Sequence, residues 1–172
     1  MTDPAPTPQA LEPDAEAEAR AAGILAANRF IVLGTSDADG PWTAPVQYRL
    51  RADGALTFES HASSRHGLAI AAGLAAGRAT VAGAIFDSSV APHDADGLQL
   101  VADAEDGGPL GDEGKRLFVL RVRRLWVFDP DAWRTLGRDR RIELRPEVVL
   151  SEAIVREAVQ REALAREAGD DA

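Results

Sequence analysis

The chain has 172 residues, no cysteine and a formal net charge of −9. That length suits one domain, which buries roughly 70% of its unfolded surface without cross-links. The missing thiols exclude disulfides, thiolate catalysis, cysteine-ligated zinc and iron–sulfur clusters, and leave oxygen, nitrogen or cofactor chemistry. The acidic balance argues against nonspecific binding to nucleic acid or membrane. Met1 to Ala10 carries acid and proline where a secretory signal needs base followed by an apolar run, and no apolar stretch is long enough to span a bilayer. The expectation is a cytoplasmic protein. Lys115 is the only lysine among the basic residues, which excludes any lysine-pair mechanism, and its place between Gly114 and Arg116 reads as a solvated surface position.

Residues 1–10 alternate Pro, Thr and Ala and predict a disordered tail, with one domain over 11–172. An alanine-rich stretch from about Glu12 to Asn28 predicts a helix with Leu11, Ile24 and Leu25 as its large apolar anchors. Arg29 to Thr35 is β-branched and aromatic and ends in the turn chemistry of Asp37-Ala-Asp-Gly40. A second strand spans about Trp42 to Arg51, Ala52-Asp-Gly54 makes a hairpin, and Ala55 to Ser60 forms a third strand. Leu68, Ile70, Ala71 and Leu74 fall at helical spacing, with Gly73 and Gly77 closing a short helix.

Arg78 to Asp87 is the next strand; Asp94-Ala-Asp-Gly97 opens another, Leu98 to Ala104. The Asp-Ala-Asp-Gly segments read as hairpin turns, because a calcium loop of the EF-hand type wants glycine at its sixth position, not its fourth. Arg116 to Asp129 is the longest strand, with Phe118, Leu120, Val122, Trp126 and Phe128 at period two on one face. Pro146 opens a final helix to about Ala168, with Val148, Val155, Val159 and Ala163 as its apolar stripe. Many short strands with small helices between them predict a mainly β fold, a six-stranded antiparallel barrel with N- and C-terminal helices.

The segment Phe58-Glu-Ser-His-Ala-Ser-Ser-Arg-His-Gly67 carries the chemistry. A strand ends in hydroxyls, a guanidinium and two imidazoles, and a helix then begins. Ser63, Ser64 and the first N–H groups of the helix can donate to an anion, and Arg65 supplies a planar fork. The same residues also suit a serine N-cap beside a solvated arginine.

This order of elements resembles the pyridoxamine 5'-phosphate oxidase-like, FMN-binding split β-barrel superfamily over about residues 28–130. Asp37-Ala-Asp-Gly40 with Ala44-Pro-Val46 matches its first hairpin, Ser64-Arg65-His66-Gly67 its Ser-Arg-Lys-Gly phosphate loop, and Gln99-Leu100 the start of its glutamine-bearing strand. Arg-His in that loop, with Thr135-Leu136-Gly137 and Arg138 to Leu144 later on, resembles a small uncharacterised bacterial branch of the superfamily and extends the likeness to about Pro146.

The resemblance implies FMN as cofactor and a homodimer holding it between subunits, acting on a small-molecule substrate or electron donor. It implies that Val46, Gln47, Tyr48 and Arg49 run along the flavin, that Ser60, Ser64, Arg65 and His66 hold the ribityl phosphate, and that Gln99 meets the ring edge from the partner. His66 stands where the family carries lysine, so phosphate binding is expected to weaken as pH rises through the imidazole pKa. His61 and His93 lie in polar loops, and Trp42, Trp126 and Trp133 read as packing or interface residues. The substrate-phosphate residues of true pyridoxamine phosphate oxidases are not found, so that substrate is not expected. No catalytic residue and no metal ligand is named. Two other readings stay open: a deazaflavin-dependent reductase on the same barrel, and a non-catalytic barrel that binds haem or another ligand.

Overall fold

The computed structural model describes residues 14–87, 89, 96–111 and 114–170. In chain order the elements are α1 (Ala15–Ala27), β1 (Phe30–Asp37), β2 (Gly40–Leu50), β3 (Leu56–His61), α2 (Arg65–Ala75), β4 (Ala79–Phe86), β5 (Gly97–Pro109), β6 (Lys115–Phe128), α3 (Ala132–Leu136), β7 (Arg141–Leu144) and α4 (Pro146–Asp170). Strand order is β3-β2-β1-β4-β5-β6, and β3 also pairs with β6, so six antiparallel strands close on themselves. The barrel expected from the sequence is the barrel observed. The short α3 and β7 were not anticipated; β7 pairs only with β6, outside the closed ring.

Closure removes the exposed strand edges and gathers one core inside. Ile31, Leu33, Tyr48, Phe58, Leu100, Phe118, Leu120, Leu125 and Val127 fill it. Phe58 stacks on Phe118 with ring centroids 5.0 Å apart. Asp14 caps α1 by accepting from the Ala17 N–H at 3.0 Å. Small residues let this helix pack closely: Ala17, Ala21, Ala22 and Leu25 are all buried. Tyr48 donates its hydroxyl to the Leu25 carbonyl at 2.7 Å, and the Glu18 carboxylate takes both prongs of Arg145 at 2.7 Å. The helix, the inner face of β2 and the start of α4 are thereby tied together.

Two sequence expectations about faces are corrected. On β6 the pairing passes from Ala102 opposite Val122 to Val101 opposite Arg124, leaving Arg123 as an extra residue in a bulge. A bulge reverses the alternation beyond it. Phe118 and Leu120 therefore point inward, but after Arg123 the inward residues are Leu125 and Val127, while Trp126 and Phe128 turn outward. On α4 the buried positions are Val149, Leu150 and Ala153. Val155 and Val159 are each 61% exposed, on the side of the helix turned away from α1 and β2, against which Glu157 and Arg161 lie. Gly73, expected to close α2, instead lies within it against the backbone of Ala79, where a side chain would collide; Gly77, at φ +101°, is the residue that lets the chain leave the helix.

Candidate functional site

The end of β3 and the start of α2 form the expected loop. Ser64 is the helix N-cap, accepting from the Gly67 N–H at 3.2 Å. His66 is buried against Phe58, and its Nε2 lies 2.8 Å from the Ser60 hydroxyl and 3.1 Å from that of Ser64. Burial pushes the imidazole below its ordinary pKa of 6.5, so it is neutral at neutral pH. Ser60, Ser64 and His66 thus meet as the sequence suggested, but as a neutral cluster. The backbone N–H groups of Arg65 and His66 have no acceptor among the described residues, as first-turn donors lack one within the helix.

Arg65 has a partner the sequence did not reveal. Its Nε and Nη2 donate to the two carboxylate oxygens of Asp37 at 2.7 and 2.8 Å, and its guanidinium lies 4.8 Å from the centre of the Trp42 ring. Asp37 is held from its other side by the N–H of Asp39 at 2.9 Å, and the arginine beside it keeps its carboxyl below the usual range.

Next to the cluster, on the outer face of β2, β3 and β6, is a pocket of about 310 Å³ lined by Gln47, Arg49, Glu59, Ser60, His61 and Lys115 with Thr57, Phe58 and Leu117. Strand alternation explains who reaches it. Gln47 and Arg49 point outward from β2, whereas Val46 and Tyr48 point into the core, and the Tyr48 N–H is already donated to the Arg29 carbonyl at 3.0 Å. Burial raises the Tyr48 phenol well above its usual range. Arg49 is set apart from its neighbours: Arg51, Arg65, Arg116, Arg121 and Arg124 all hold carboxylates, while its guanidinium has no hydrogen-bond or ion-pair partner among the described residues. His61 has its Nδ1 2.7 Å from the Ser63 hydroxyl, and its ring lies against Gly114, which at φ +83° leaves no room for a Cβ. Lys115 is exposed, as read from the sequence, and stands opposite His61 in the β3–β6 register, where it also lines the pocket wall.

Gln99 does not join this group. It lies on β5, where it accepts from Arg141 Nε at 3.0 Å, beside a second depression of about 470 Å³ lined by Val32, Gly34, Ala82, Ala84, Val101 and Trp126. Phe30 and Phe86, 59% and 50% exposed, extend the apolar character of that side. Within one chain the expected site is therefore divided between two pockets. His93 lies outside the described residues, as does the side chain of Trp133. Glu59, Lys115 and Arg141 were missed; outward alternation could have found Glu59 from Gln47 and Arg49, but the pairing of β3 with β6 and the existence of β7 carry no local signal.

No protein-family model matches the sequence, and no curated protein resembles it significantly. Solved structures do resemble it. A haem-binding protein from Mycobacterium smegmatis is 21% identical with a TM-score of 0.58, over 83% of this chain and 62% of the other. The haem storage protein HutZ of Vibrio cholerae is 16% identical at 0.53, over 64% and 94%. A pyridoxamine 5'-phosphate oxidase-like protein from Listeria innocua is 12% identical at 0.51, over 64% and 96%. The chain has the split-barrel fold of these proteins.

Proposed function

We propose that this split barrel is a cytoplasmic FMN-binding oxidoreductase acting as a homodimer, with the flavin across the outer face of β2, β3 and β6. The observation that carries the reading is Arg49: a guanidinium with no carboxylate partner among the described residues, in a pocket whose other polar walls are Gln47, Glu59, Ser60, His61 and Lys115. A hydrogen-bonding pocket that holds the Arg49 guanidinium as well as the Glu59 carboxylate, beside the first turn of a helix, suits a phosphorylated, planar, polar-edged ligand. The residues present fit FMN in kind. Ser60 and Ser64 hydroxyls and the N–H groups of Arg65 and His66 are donors for the phosphate, Arg49 supplies charge, and the Gln47 amide can both donate and accept at the ring edge. Bound flavin supplies hydride or electron transfer.

Residue by residue, the chain's share of the work is binding and orientation. Val46 and Tyr48 face the core rather than the ligand, and Tyr48 anchors β2 to α1. Gln99 takes part only from a second copy, whose natural contact is the apolar face of β1, β4 and β5. The test is an absorbance spectrum of the purified protein, then FMN titration of the apoprotein followed by flavin fluorescence. A flavin band and saturable quenching are expected; neither appearing refutes the reading. Light scattering should give twice the chain mass of 18.3 kDa.

A second reading, haem, draws on His61, whose ring is oriented by Ser63 on the pocket wall, and on the two haem proteins among the structural relatives. A Soret band on haemin addition, lost in His61→Ala, would favour it over flavin.

A further inference from the structure

The Asp37–Arg65 pair has a bearing on ligand choice that neither residue has alone. Both oxygens of Asp37 are engaged by the Nε/Nη2 edge of Arg65, the edge an arginine uses to fork a phosphate. The carboxylate is not free to drift, since the hairpin turn also holds it through the Asp39 N–H. Asp39 adds a second negative charge acting on the same guanidinium. His66, the other basic residue at the start of α2, is held below its ordinary pKa by burial. The start of α2 therefore carries one cation against two anions, with its fork already filled by a carboxylate on the same chain.

From this we infer that Asp37, which lies outside the pocket lining and acts through Arg65 at the start of α2, sets how far a phosphorylated ligand is preferred over its unphosphorylated form. The inference rests on the flavin reading above. A dianion at Ser60, Ser64 and the first N–H groups of α2 competes with Asp37 for Arg65, and Asp37 competes intramolecularly at high effective concentration. Asp37 thus lowers the share of binding contributed by the phosphate, while the ring contacts through Gln47 are untouched. Removing the charge while keeping the turn releases the fork. Asp37→Asn does this, because the amide oxygen can still accept from the Asp39 N–H.

The experiment compares FMN with riboflavin, which lacks only the phosphate, in titrations of the apoprotein and its variants. Asp37→Asn is expected to raise the ratio of FMN to riboflavin affinity about tenfold, through tighter FMN binding at unchanged riboflavin binding. Asp37→Glu, which restores the charge, is expected to return the ratio toward that of the parent. Glu152→Gln, which removes an equal charge on α4, should leave it unchanged and so excludes a general effect of net charge. A parent that binds FMN while Asp37→Asn leaves the ratio unchanged or lowers it overturns the inference alone. A parent that binds neither flavin overturns the flavin reading, and the inference falls with it.

Discussion

The two outer faces of the barrel are built from the same kind of alternating strand yet differ in what they present. Around β2, β3 and the start of β6 the outward residues are Gln47, Arg49, Glu59, His61 and Lys115. Around β1, β4 and β5 they are Val32, Gly34, Ala82, Ala84 and Val101, flanked by Phe30 and Phe86. A face of small and apolar residues is costly in water and suits a flat protein surface. A face with an arginine that has no ion-pair partner among the described residues suits a charged solute. Gln99 lies at the rim of the apolar face, and under the proposed flavin reading it reaches the polar one only from a second copy.

The sharpest way to break this division is to charge the apolar face. Ala82→Arg should weaken self-association on the order of a hundredfold, since a two-fold interface meets the substitution twice. Sedimentation would report monomer, and FMN content should fall with it if Gln99 acts from the partner. The interior common to both faces is tested by Phe58→Ala, which removes the ring stacked on Phe118 and should cost about 3 to 5 kcal/mol in urea unfolding. On the polar face, Arg49→Ala should weaken FMN roughly tenfold or more with circular dichroism unchanged, and Arg49→Lys should recover part of the loss.

A smaller effect is expected from pH. Because the folded pKa of His66 is depressed, the unfolded chain takes up the proton first on acidification. This contribution to stability is complete above 6.5 and is lost as pH falls below it, a loss that His66→Asn should reduce in melting curves. The same depression revises the expected pH response of ligand binding: the charge change of His66 lies below neutrality, so affinity should be flat from neutral pH to about pH 8. Smallest of all, deletion of residues 1–10 should leave melting temperature and cofactor content unchanged.

The sequence carried the barrel because period-two runs between Gly, Asp and Pro turns are local signals, and a ring of short antiparallel strands satisfies them. It carried the Ser60, Ser64 and His66 cluster because those residues are neighbours in the chain. Pairings across distance were hidden. Asp37 is 28 positions from Arg65 and reads as an ordinary turn aspartate; Lys115 meets His61 only once β3 closes on β6. The apolar stripe of α4 misled for another reason: Val155 and Val159 do repeat at helical spacing, but on the side of the helix turned away from α1 and β2.

Arg123 acts on β6 as a one-letter insertion acts on a reading frame. Upstream of it the even-numbered phase faces the barrel core; downstream the phase is reversed, and one continuous strand supplies inner residues first from Phe118 and Leu120 and then from Leu125 and Val127. Substituting Arg123 leaves the frame intact and should be mild. Deleting it would turn Trp126 and Phe128 into the barrel and Leu125 and Val127 out of it, so the absence of this one exposed residue should be far more damaging than any change of its identity.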